Sequence, residues 1–84
     1  LIKWHLGEVM ARYRIKGTDV ALVMNVSNNA ISHYRKATTL PQINGARLND
    51  LLNALNALKS PDEPMIGIED LMEYTPDGQG ERDG

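Results

Sequence analysis

The stretch Thr18–Lys36, "TDVALVMNVSNNAISHYRK", decides how this chain folds. Thr18 is a good helix N-cap, and Asp19 just inside suits the positive end of a helix dipole. The apolar run closes at Met24. Asn25 follows, a residue that tolerates the left-handed backbone of a tight helix exit. Ser27 then caps a further helix reaching Lys36. Only Asn25, Val26 and Ser27 separate the two helices, so they must cross at a steep angle, the geometry of a helix-turn-helix. Ala21 falls at their closest approach, where a larger side chain would push them apart. Val26 and Ile31 point inward.

The outward face of the later helix, over 28–36, then presents Asn28, Asn29, Ser32 and His33, with Arg35 and Lys36 at its end. Short polar side chains near a helix N-terminus are what a DNA major groove demands. Asn can bond adenine N6 and N7 in bidentate fashion, and Ser suits several base edges. The free amides and dipole of the same terminus favour phosphate. Taken alone, Ser27 and Asn28 read more readily as caps of a surface helix; the preceding helix and turn reverse this in favour of the DNA reading.

Outward from this motif the pattern stays helical. Ile2, Leu6, Val9, Met10 and Tyr13 form one apolar stripe, predicting a helix over about 2–14. Trp4 lies off that stripe and reads as a partly buried core or edge residue, with a dimer contact as the alternative. "ATTLPQI" is a loop, since its proline cannot sit inside a helix. Asn44 caps the next helix, 45–58, with Leu48, Leu51, Leu52, Leu55 and Leu58 as its stripe. "KSPDEP" ends it, and 68–74 supplies a last helix. No alternation lasts long enough to predict a strand. The expectation is an all-α domain over 1–74 with helices at about 2–14, 18–24, 28–36, 45–58 and 68–74. An acidic, flexible tail follows over 75–84.

The quoted motif resembles the helix-turn-helix of the Cro and lambda-repressor type, the xenobiotic-response-element group of bacterial and phage regulators. Ala21 matches the family's small residue, and Val26 and Ile31 its inward apolar pair. The first helix, "LPQINGARLNDLLNAL" and "IEDLMEYTPD" extend the likeness to about residues 2–58 and 68–77. Three features depart from it. Asn25 replaces the turn glycine, "KSPDEPMIG" is longer than usual, and Leu22 and Val23 occupy a face the family keeps polar. Cover by Met65, Ile66, Ile68, Leu71 and Met72 is the favoured account of that face, since a small domain needs every apolar contact it can make; a partner chain is the alternative. The resemblance implies a compact five-helix fold with Ser27, Asn28, Asn29, Ser32 and His33 at base-reading or groove-contacting positions. It also implies phosphate contacts from Thr18 and Asn44, beside Lys16, Arg35, Lys36 and Arg47 as basic candidates. Arg12 and Arg14 are weaker candidates, expected to project away from DNA. The implied protein is a dimeric, sequence-specific transcriptional regulator, a repressor by preference, working in the cytoplasm at the bacterial nucleoid. Half-sites would lie roughly 34–36 Å apart.

Composition sets the remaining bounds. Residues 1–60 hold eight Lys/Arg against three Asp/Glu, or +5; residues 61–84 hold one Arg against eight acids, or −7. Such a split suggests a basic functional body with an acidic tail, and on charge alone solvated surface at both ends reads as well; an acidic segment that binds a protein gives the alternative function, an interaction module or antitoxin-like partner. The absence of cysteine excludes disulfides and thiolate metal sites. The longest apolar run, Val20–Met24, is far short of a membrane span. His5 and His33 are too distant in sequence to suggest a metal pair. No nucleophile–base pair, phosphate loop or metal-ligand spacing appears, so neither an enzyme nor a cofactor is expected. The start at Leu1 rather than Met points to a trimmed chain with a segment upstream.

Overall fold

The computed structural model describes residues 1–77 of the 84. In chain order they form β1 (Ile2–Trp4), α1 (Leu6–Arg12), α2 (Gly17–Met24), α3 (Asn28–Lys36), α4 (Gly45–Leu58), α5 (Ile68–Leu71) and β2 (Met72–Tyr74). The domain is mostly helical but not all-α. β1 and β2 pair antiparallel, with Ile2 opposite Tyr74, Lys3 opposite Glu73 and Trp4 opposite Met72. Two expected helices are therefore shorter. The one predicted from 2 starts at Leu6, and the one predicted over 68–74 is a single turn that gives way to strand at Met72.

Backbone hydrogen bonding supplies the reason. His5 N–H donates to the Leu71 carbonyl at 2.6 Å and Thr75 N–H to that of Leu1 at 2.9 Å, extending the ladder at both ends. On its other side β1 meets the segment after α3: Trp4 N–H donates to the Thr38 carbonyl at 2.9 Å and Leu40 N–H to that of Ile2 at 3.2 Å. A helix at residues 2–5 would satisfy its backbone locally; here tertiary partners do so. Strands of three residues are too short for alternation to declare them. Thr75 is held by this ladder, whereas residues 78–84 of the expected tail lie outside the described residues.

Leu6, Val9 and Met10 bury one face of α1 against Val20 and Ala21, Ile31 and Tyr34, and Leu51, Ala54 and Leu55. Trp4 joins them at 3 % exposure, a core residue rather than an edge or a dimer contact, and its indole Nε1 donates to the Tyr34 carbonyl at 2.8 Å. The Asn56 side chain holds the long loop after α4: it accepts from Ile66 N–H at 2.8 Å and donates to the Ile66 carbonyl at 2.9 Å. Ile66 and Leu71 thereby enter the core.

That tether corrects a second expectation. The C-terminal segment is drawn to Asn56 and to β1, so it does not cover α2. Leu22 and Val23 remain 80 % and 51 % exposed.

Candidate nucleic-acid interface

The turn between α2 and α3 forms as its residues dictate. Asn25 is left-handed (φ 58°, ψ 47°), and Val26 N–H returns to the Ala21 carbonyl at 3.0 Å. This locks α3 against α2, with Ala21 and Ile31 buried between them and the core. Ser27 caps α3 as expected, its Oγ accepting from Ala30 N–H at 3.1 Å. One acceptor lone pair of the Ser27 hydroxyl is thus committed to the helix.

α2 starts differently from the sequence expectation. Its N-cap is Lys16, in extended conformation with no side-chain capping bond, and Gly17 rather than Thr18 is the first helical residue. Thr18 is therefore not the cap, and among the described residues no N-cap side chain bonds the first amides of α2. A concavity opens at this end, lined by Lys16, Gly17, Thr18, Asn28, Ser32 and Arg35. Arg35 reaches across from α3 until its guanidinium stands beside Gly17: a Cβ built there would lie 3.5 Å from Nη1. Two cations thus flank the positive end of a helix dipole. Among the described residues neither Lys16 nor Arg35 forms an ion pair. Asp19, the acid in the first turn of α2, is exposed and does not line the concavity. Such a site favours an anion.

The predicted residues divide around it. Lys16, Thr18 and Arg35 come together with Asn28 and Ser32. Asn29 and His33 are exposed one position further round α3, four apart and so neighbours on its surface. Lys36 is exposed at the end of α3. Asn44 caps α4 through a 2.7 Å bond from Arg47 N–H to its Oδ1, and Arg47 is half-buried in the first turn. Lys36, Asn44 and Arg47 do not line the concavity.

The two arginines set aside from the sequence part company. Arg12 lines a hollow shared with His5, Glu8, Glu69, Asp70 and Glu73. Arg14 instead lines a concavity with Gly7, Ala11, Lys16 and Arg35. The signal for Arg14 was faint: Gly7 and Ala11, two small residues four apart on α1, leave the shallow wall over which that space opens. In the acidic hollow, His5 Nδ1 lies 3.1 Å from a Glu8 oxygen and Nε2 3.3 Å from a Glu73 oxygen. These hydrogen bonds, Glu8 first, raise the His5 pKa above its ordinary 6.5.

Comparison of the chain with protein-family models, with curated proteins and with solved structures finds no match. No helix among the described residues is long and apolar enough to cross a membrane.

Proposed function

We propose that this chain is a sequence-specific double-stranded DNA-binding regulator of the Cro and lambda-repressor type, acting as a repressor at the bacterial nucleoid. The observation that carries the reading is the uncapped N-terminus of α2, flanked by Lys16 and Arg35 and opening directly beside Asn28 and Ser32 of α3. Phosphate contacts supply affinity and register, and base contacts specify sequence. One concavity carrying both sets of groups suits a duplex with its backbone at α2 and its major groove over α3. Asn28, Asn29, Ser32 and His33 read bases in this proposal, and Ser27 serves chiefly as the cap. Lys16, Thr18 and Arg35 hold phosphate, with Lys36, Asn44 and Arg47 as outlying contacts. A module this small buries little DNA, so the operator-bound form is a two-fold dimer.

The test is selection of the purified chain on a randomised duplex library at two salt concentrations. A two-fold symmetric motif should be enriched, with affinity falling steeply as salt rises. Asn29→Ala should then weaken binding to that motif by about 1–3 kcal/mol and relax the preference at one base pair. An unchanged motif would remove Asn29 as a base reader.

A second reading is favoured by Leu22 and Val23, which stand open on α2. Exposed apolar side chains this close together suit a protein partner. Library selection without enrichment, together with a lone species in sedimentation that becomes a complex with a captured protein, would favour that reading.

A further inference from the structure

We infer that Arg14 is a phosphate-binding residue outside the helix-turn-helix, extending the backbone track of the bound duplex past α2 to the end of α1. This rests on the DNA-binding reading above and deepens it.

Two concavities meet here. The one beside α3 is lined by Lys16, Thr18, Asn28, Ser32 and Arg35; the one beside α1 by Gly7, Ala11, Arg14, Lys16 and Arg35. Ile15, Lys16 and Arg35 belong to both, so they form one trough running from the start of the recognition helix to Arg14. Three cations line it and no acid does. Among the described residues none of the three forms an ion pair. Like charges gathered along one groove repel one another, and a polyanion threading the groove offsets that repulsion.

The backbone also favours this placement of Arg14. Among the described residues it is one of two non-glycine residues with positive φ, at 58°; the other, Asn25, makes the turn of the motif. Asparagine suits that conformation, whereas arginine does not, and glycine would cost least. An arginine at a glycine-like position, beside Gly7 and Ala11, brings a guanidinium to the groove at some backbone cost. Its neighbour Arg12 stands among Glu8, Glu69, Asp70 and Glu73 instead, where a phosphate would be repelled. The two arginines, two positions apart, are thus opposite cases in one short segment.

Arg14→Gly is the decisive variant because it removes the charge while relaxing the backbone, so folding is not at risk. Binding to a random-sequence duplex is read by fluorescence anisotropy between about 50 and about 200 mM salt, for the wild type, Arg14→Gly, Arg14→Lys and Arg12→Gln. One lost phosphate contact lowers the slope of log affinity against log salt by roughly 0.9, so the salt-induced loss should shrink by about 3.5-fold in Arg14→Gly. Arg14→Lys should keep the wild-type slope, and so should Arg12→Gln. A wild-type slope in Arg14→Gly overturns the inference while leaving DNA binding intact. Equal losses in Arg14→Gly and Arg12→Gln also overturn it, since net charge alone would then be responsible. A wild-type chain that binds no duplex at any salt overturns both the inference and the reading beneath it.

Discussion

Trp4 shows how much one side chain settles in so small a core. Its indole N–H reaches the Tyr34 carbonyl and its backbone N–H that of Thr38. Tyr34 lies within the last four residues of α3, whose carbonyls have no partner inside the helix. Trp4 therefore closes the end of α3 as well as filling the core. Trp4→Phe keeps most of the apolar surface but strands a buried carbonyl, and should cost about 1–3 kcal/mol. Urea unfolding followed by circular dichroism should show a lower midpoint at unchanged slope. An unshifted midpoint would mean that water takes the place of the indole.

Between elements, α1 approaches the end of α3 closely at Gly7. A Cβ on Gly7 would lie 2.9 Å from the Arg35 carbonyl oxygen, backbone that cannot swing aside. Gly7→Ala should force the helices apart and destabilise by about 1–3 kcal/mol, as overpacking does. If the proposed function holds, it should also weaken DNA binding, because Arg35 moves with its helix. Gly45, at the start of α4, is the control: nothing lies within 4 Å of a Cβ there. Gly45→Ala should be neutral or stabilise by about 0.4–1 kcal/mol by restricting the unfolded chain. Thermal melts of the two variants compare them directly; equal melting temperatures would show that α1 and α3 adjust freely.

Over the whole molecule, charge is sorted by α1. Its Gly7 and Ala11 side borders the cationic trough, and its Glu8 and Arg12 side the acidic hollow. On the DNA-binding proposal, the cationic side faces the duplex and the acidic side is repelled by it. The acidic side also clasps α1 to β2, since His5 links Glu8 to Glu73. Because folding raises the His5 pKa, its contribution to stability is fully present below about pH 6.5, the unfolded value, and is lost as pH rises through the folded one. The His5 side chain is 26 % exposed and its carboxylate partners more so, so solvent screens the clasp and the effect is modest. The Met72–Tyr74 amides should exchange faster with solvent deuterium as pH rises across that window, beyond the intrinsic base catalysis seen in His5→Gln. Identical pH dependence in the two proteins would dismiss the clasp.

Sequence by itself determined the elements whose signals are local. Asn25 entered the left-handed region, Ser27 and Asn44 capped their helices, and the leucines of α4 turned inward, because caps and helical stripes act within one or two turns. It also brought out Lys16, Thr18, Asn28, Ser32 and Arg35 as candidates, five residues that share one concavity. Only the tertiary structure decided the rest. Ile2–Trp4 became strand because its partners, Met72–Tyr74 and Thr38–Leu40, are remote in sequence. Leu22 and Val23 stayed open because Asn56 and β1 hold the C-terminal segment elsewhere. Arg12 and Arg14, alike in sequence, were parted by a left-handed residue at the end of α1, and a side chain's direction after such a bend depends on what the bend packs against.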